Sequence, residues 1–198
     1  IGKKYECVNY IDKNGKYKSV TLDMSENIHL TNPCGEIGLE TNELCNLSTT
    51  VPLNCDSIDD WYKVLRHATI YCTIVSLMMS GNKDTDEVLK RNRRIGVSIS
   101  GLAEVFDKYH TSQVITMLKN GYHIVRQCNA EFANKLNIPI AKKVTTIKPD
   151  GNLGLLIGCT PGIHYSLFKD YCIRRIRISI NDPYSKELIK CVPYKIDN

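Results

Sequence analysis

Two stretches of the chain carry apolar residues at helical spacing. In "SIDDWYKVLRHATIYCTIVSLMMS", residues 57–80, Ile58, Trp61, Leu65, Ala68, Cys72 and Val75 recur every three or four positions, the period of one helix face. Ser57 and Asp60 stand at capping-box spacing at its start, with Asp in place of the commoner Glu, and Gly81 closes it. The stretch is apolar around most of its circumference, which predicts a well-buried helix. Residues 112–136 form a second long helix with Val114, Leu118, Tyr122, Val125 and Phe132 on its face. Short helices are expected over Thr85 to Arg93 and over "GLAEVFDKY", 101–109.

Strand patterns interleave with these helices. "KKYECVNYIDKNGKYKSVTLDM", 3–24, reads as two strands about an Asn14-Gly15 turn, a strong hairpin signal. "RIGVSIS" (94–100), "KVTTIK" (143–148) and "NLGLLIG" (152–158) read as strands. "YCIRRIRISI", 171–180, alternates apolar and basic residues, as a strand with one wet or ligand-facing side does. Helices alternating with strands give an α/β architecture. The chain shows no internal repeat, low-complexity segment or clear linker, so residues 1–198 are expected to form a single domain.

Composition narrows the classes. The 198 residues are 42% hydrophobic and 24% charged, an ordinary globular balance with room for a sizeable core. The net charge of +5 suits an anionic small ligand such as a nucleotide and does not by itself signal nucleic acid. No apolar run has the length of a membrane span, and the N-terminus is not a signal peptide. The first residue, Ile1, is not methionine, as in a processed, trimmed or internal piece of a longer protein. The nine cysteines include no C-x-x-C pair, which argues against a zinc ribbon or a thioredoxin motif. Their odd number, without a secretory signal, argues against a disulfide framework and for a reducing, cytoplasmic compartment. Cys7, Cys55, Cys72, Cys128 and Cys191 are assigned to packing.

The stretch "TNPCGEIGLETNELC", 31–45, fits neither pattern. Pro33, Gly35 and Gly38 interrupt regular structure, and an extended backbone would put Asn32, Cys34 and Glu36 on one side. A loop that presents side chains in this way is where chemistry usually sits. Three chemistries fit a cysteine two residues from a carboxylate. One Cys and one Glu are too few ligands for a metal, and none is expected. A cysteine hydrolase needs a histidine base, and none of the five histidines has a local signature. In radical chemistry a thiyl attacks a C–H bond, the carboxylate serves as base and a second thiol as reductant. The plain alternative is a cysteine packed under a Gly-Pro turn.

"NPCGEI" followed by "CNLS" closely resembles the active-site finger loop of ribonucleotide reductases, in the form found in the adenosylcobalamin-dependent class II enzymes. "RNRRIGVSISGLAEVF" (91–106), "TTIKPDGNLGLLIGCTPGIH" (145–164) and "YCIRRIRI" (171–178) agree in type and order, over roughly residues 28 to 180. The resemblance implies a ten-stranded α/β barrel of two five-stranded halves, of which this chain would supply the finger loop, 31–47, and part of the second half. It implies reduction of ribonucleotides to deoxyribonucleotides. Cys34 would form the thiyl radical that takes the ribose 3′ hydrogen, and Glu36 would deprotonate the 3′-hydroxyl. Asn32 would hold the substrate hydroxyls, and Cys45 would be one of two cysteines that deliver reducing equivalents. A thioredoxin-like or other dithiol reductant would restore them.

The same resemblance makes "KPDGN" (Lys148, Pro149, Asp150, Gly151 and Asn152) a loop for substrate phosphates, and its backbone N–H groups a plausible anion nest. The family favours small hydroxyl residues there, and an aspartate facing a phosphate costs electrostatic energy unless it points away or binds a cation. An ordinary Pro-Asp-Gly turn between strands is the plain alternative. "CTPGIH" lies toward the adenosylcobalamin by resemblance, so Gly162 and His164 are its candidate contacts, with a structural role as the alternative for His164. Arg174, Arg175 and Arg177 suit phosphates or cofactor amides, or else a solvated strand face. Arg91, Arg93 and Arg94 read as a helix-end charge cluster. The first half-barrel and the second reducing cysteine would lie before Ile1, so a complementary half-barrel chain or self-association is expected. Two alternatives fit the same residues. One is a degenerate, non-catalytic nucleotide-binding or interaction module. The other is a class I relative served by a separate radical-generating subunit, which Pro33 and Gly35 argue against by resemblance.

Overall fold

The computed structural model describes residues 4–165, 179 and 181–191. These belong to two compact units, Ile1–Tyr165 and Ser166–Asn198. The expected strand at 171–178 lies outside the described residues, as do Arg174, Arg175 and Arg177. In the second unit, a helix over Pro183–Cys191 starts where Asp182 Oδ1 accepts from Tyr184 N at 2.9 Å.

The first unit opens with the expected hairpin. β1 (Tyr5–Ile11) pairs antiparallel with β2 (Tyr17–Asp23). Asp12 Oδ1 accepts from the backbone N–H groups of Asn14 and Lys16, and Gly15 takes φ +76°. A short second hairpin, β3 (Leu30–Thr31) with β4 (Gly38–Leu39), rises from the loop. β5 (Leu47–Thr50) then pairs in parallel with β6 (Gly96–Ile99). The crossover between them carries α1 (Ile58–Val75) and α2 (Lys83–Asn92). α3 (Leu102–Lys108) and α4 (Thr111–Leu136) form the next crossover, after which Thr145 bridges Val97 in parallel. Repeated parallel pairing through helical crossovers is the α/β pattern expected. Among the described residues the sheets are two-stranded and no barrel closes.

The core lies between α1, α4 and β6. Trp61, Leu65 and Cys72 of α1 meet Val114, Met117 and Val125 of α4 and Val97 and Ile99 of β6. Every residue of β6 is buried, as in a parallel strand covered on both faces. Trp61 satisfies its indole N–H on Thr50 Oγ1 at 3.1 Å. Gly121 lets the helices approach, since a Cβ there would stand 2.9 Å from the Trp61 ring.

Four expectations change. "NLGLLIG" is a helix, α5 (Gly151–Ile157), not a strand. Its first i→i−4 bond runs from Gly154 N to Asp150 O, and a Cβ on Gly154 would press the backbone of Cys159 and Pro161. "KVTTIK" is a single bridge and not a full strand, because Lys148 N donates to the Ser98 side chain at 2.8 Å and leaves the ladder. α1 is buried along one face only, with Tyr71 and Ile74 exposed, because α4 and the strands cover only that side. Cys7 is exposed beside Ser19 Oγ on the hairpin, not packed.

The first hairpin is tied to α4 by a charged group. Arg126 donates to Glu6 Oε2 at 2.5 Å and to the carbonyls of Ala141 and Lys142, and Tyr122 donates to Glu6 Oε1 at 2.7 Å. Burial raises the Glu6 carboxyl, but the Arg126 and Tyr122 bonds and the Arg126 charge outweigh it, leaving a net depression. A depressed carboxyl stabilises the fold at neutral pH, and that contribution is lost as pH falls through the carboxylate range. Glu6→Gln is therefore expected to lower Tm at neutral pH and to flatten its acid-side decline, read by circular dichroism across pH. Parallel Tm profiles for the two proteins would contradict this.

Candidate functional site

The loop of residues 31–47 is a hairpin with a tight tip, not an extended presenter. Asn32-Pro33-Cys34-Gly35 has the residue preferences of a type I turn, closed by Gly35 N to Asn32 O at 2.9 Å, with Gly35 at φ +80°. Asn32 is buried, and its side-chain oxygen accepts from Ile37 N at 3.1 Å. Ile37, also buried, anchors the return arm. The turn separates what an extended chain would align: Asn32 points inward while Cys34 is exposed.

Glu36 is half-buried, with both carboxylate oxygens shielded from solvent and without a hydrogen-bond partner. Its carbonyl accepts from Thr146 Oγ1 at 2.9 Å, which joins the tip to the bridging segment after α4. A shielded, unpartnered carboxylate is open to a hydrogen bond from a ligand. Cys45 is half-buried next to this group. Burial first, then the Glu36 carboxylate, with smaller effects from Cys34 and Glu43, push its thiol up from the ordinary range. Cys45 is therefore a protonated thiol at neutral pH, within the electrostatic reach of Cys34 and Glu36. Cys34, Glu36 and Cys45 are thus within electrostatic reach of one another, while Asn32 faces inward and holds the turn through Ile37 N.

Three acidic residues around the hairpin meet basic residues from the helical layer. Glu43, with a fully buried side chain, accepts at Oε1 from Arg94 Nε and from Asn92 Nδ2, both at 2.9 Å, and at Oε2 from Glu40 N at 2.8 Å. The other arm of Arg94 reaches Glu26. Arg91 pairs with Glu40, and Lys142 stands 3.6 Å from it. Arg91 lies in the last turn of α2 and Arg93 caps it, as the helix-end reading expects, whereas Arg94, 3% exposed, follows the helix and faces the loop. Arg93 instead bonds the carbonyl of Ser76. Sequence reasoning missed Glu43. The signal was the acidic "ETNE" and the basic "RNRR", which complement each other although they stand 51 residues apart.

Asp150, at φ +48°, turns its carboxylate inward. Oδ2 accepts from Thr49 Oγ1 at 2.7 Å and from Ser100 Oγ at 2.6 Å, and Lys148 Nζ stands 3.0 Å from Oδ1. The carboxylate thus ties β5, the end of β6 and its own loop together. Pro149 precedes it, and Gly151 and Asn152 are exposed at the start of α5. Gly162 is buried and donates to Ser100 Oγ at 3.1 Å, and a Cβ on it would stand 2.6 Å from the Lys148 carbonyl oxygen. His164 is exposed, its N–H on Pro161 O. No group of three His, Cys, Asp or Glu able to hold a metal ion occurs among the described residues.

Comparison with known proteins gives one answer. The family model for the ribonucleotide reductase barrel domain matches residues 5–112. A probable adenosylcobalamin-dependent ribonucleoside-triphosphate reductase of Dictyostelium discoideum is 42% identical over 147 residues, 74% of this chain and 19% of that protein. The adenosylcobalamin-dependent ribonucleoside-triphosphate reductase of Euglena gracilis is 36% identical over 159 residues, 80% of this chain and 22% of that protein. A crystal structure of a B-12 dependent (class II) ribonucleotide reductase superposes with a TM-score of 0.65 at 25% identity, over 70% of this chain and 23% of the other. The chain therefore spans about a fifth of the length of these curated relatives.

The inward turn of Asp150 generates a stability test. Asp150→Ala would strand the Thr49 and Ser100 hydroxyls and leave Lys148 unpaired, a loss of about 2–4 kcal/mol. Urea unfolding should show a correspondingly lower midpoint. A wild-type midpoint would mean that this carboxylate does not anchor the loop.

Proposed function

This chain belongs to the ribonucleotide reductase family through its barrel domain, and from that premise we propose that it carries part of the catalytic centre of an adenosylcobalamin-dependent enzyme. The reaction would convert a ribonucleotide, a triphosphate by likeness to the relatives' names, to its 2′-deoxy form. The observation that carries this reading is the Glu36 carboxylate, enclosed yet without a partner in a loop that also holds Cys34 and Cys45. A remnant without activity has no reason to leave a carboxylate so placed, since each unmet polar group costs stability.

In this reading each residue has one task. Cys34, exposed at the tip, loses its thiol hydrogen, then takes the 3′ hydrogen of the ribose and returns it to the same carbon after the 2′-hydroxyl has left. Glu36 takes the proton of the 3′-hydroxyl and gives it back at the end, for which it must lie within hydrogen-bond distance. Asn32 keeps the tip in register through Ile37 N and leaves its amide nitrogen to the substrate hydroxyls. Cys45, held as a thiol, and a second cysteine outside this chain give up two electrons and two protons. The 2′-hydroxyl departs as water and the two sulfurs end as a disulfide, which a thioredoxin-like protein or another dithiol reduces. Adenosylcobalamin, when bound, supplies the initial radical, and the exposed thiol of Cys34 fits a group that must approach it from outside the loop. His164, exposed on the turn after Gly162, is our candidate for contact with that cofactor.

Substrate phosphates would meet the backbone N–H groups of Gly151 and Asn152 after Pro149. The inward turn of Asp150 removes the like-charge objection, with Lys148 balancing it. The described strands are only paired, so a closed barrel requires further strands, from another segment, a complementary half-barrel chain or a second copy. The working compartment in this reading is the reducing cytoplasm.

The test is turnover with adenosylcobalamin, a ribonucleoside triphosphate and a dithiol, with the complementary half-barrel supplied. Cys34→Ala is expected to abolish deoxynucleotide formation while nucleotide binding persists, and Glu36→Gln to slow it about 10²–10⁴-fold. Deoxynucleotide formation at the wild-type rate by Cys34→Ala would overturn the assignment.

A further inference from the structure

Glu43 stands two residues before Cys45 and has no task in the chemistry above. Its side chain is fully buried, where an ionised carboxylate is stable only with a full set of donors. It has them from three places: Glu40 N on the loop, Asn92 Nδ2 at the end of α2, and Arg94 Nε before β6. Residues 40–44 are the covalent path from the Cys34 hairpin to Cys45. They form no helix or strand, turn through Glu43 N to Glu40 O at 3.1 Å, and place Asn42 at φ +63°. Leu44 is exposed, so apolar packing does not hold this path in place.

We propose that Glu43 is a positioning residue: clamped by Arg94 and Asn92, it fixes the Cys45 thiol against the tip that carries Cys34 and Glu36. The inference rests on reading Cys34 and Cys45 as the reacting thiols. A neutral hydrogen-bonding side chain could hold the turn as well, but Glu43 also brings charge. Together with Glu36 and Cys34 it is one of the groups that hold the Cys45 thiol up. Its own charge is balanced by Arg94, which Glu26 shares.

Alkylation of Cys45 across pH tests this in the full chain, with exposed Cys7 as internal reference and mass spectrometry as the readout. Glu43→Gln removes the charge, so the half-point of the Cys45 profile should move to lower pH, with its rate at pH 8 rising roughly threefold relative to Cys7. Glu43→Asp keeps the charge and should restore the wild-type half-point. A purely structural role would move neither half-point, or both alike, and either result overturns the proposal. Should Glu43→Gln not fold, Asn92→Ala serves instead. It removes one donor without altering charge, and should speed Cys45 alkylation about twofold, whereas an unchanged rate overturns the proposal. Turnover separates this inference from the reading it rests on. Full activity of Cys45→Ser would refute Cys45 as a reacting thiol, while the alkylation profile would still report what Glu43 does to it.

Discussion

The buried carboxylate of Glu43 and the guanidinium of Arg94 form the constraint on which the rest of the site depends. The loop of residues 31–47 has little else to hold it. Of its apolar side chains only Ile37 is fully buried, and its two strands have two residues each. A buried ion pair adds little net stability once both charges are desolvated, but removing either partner strands the other. Such a pair therefore selects one loop position over its neighbours more than it strengthens the fold. With Glu26 on the second arm of Arg94 and Glu40 facing Arg91 and Lys142, the loop has charged contacts to α2, to the start of β6 and to the segment after α4. Those same elements form the wall of the core, so the position of Cys45 is inherited from the packing of α1, α4 and β6.

A second buried carboxylate does the matching work on the other side of the sheet ends. Asp150 joins β5, β6 and the loop before α5 through Thr49, Ser100 and Lys148. The two clamps differ from Glu36 in one respect that bears on function. Glu43 and Asp150 have protein donors or a lysine, whereas the oxygens of Glu36 have none. Among the described residues, Glu36 is the enclosed carboxylate with both oxygens left open, and such a group is available to a ligand.

Elements with a strong local period or a turn signature were legible in the sequence. The Asn14-Gly15 hairpin, α1 with its Ser57 cap, α4 and β6 stand where expected. "NLGLLIG" misled because a short apolar run has no period that separates strand from helix. The close approach of Gly154 to Cys159 and Pro161 that favours the helix is tertiary. "KVTTIK" has strand composition, but Ser98 captures the N–H that would have extended the ladder. The four loop residues were singled out by their motif, and the turn at Gly35, not an extended backbone, arranges them. The Glu43–Arg94 pair links positions 51 residues apart, and no local pattern announces such a contact. Asp150 looked hostile to phosphate in the sequence because its left-handed backbone, which turns it inward, is set by partners elsewhere in the fold.

In the proposed reading, Cys34 is the radical-bearing thiol of a reductase site that this chain helps to build. The most direct measurement is electron paramagnetic resonance on the chain with its complementary half-barrel, frozen rapidly after mixing with adenosylcobalamin and a ribonucleotide. A paramagnetic signal that requires Cys34 and vanishes in Cys34→Ala is expected. No signal in the assembled protein, or one that persists unchanged in Cys34→Ala, would contradict it.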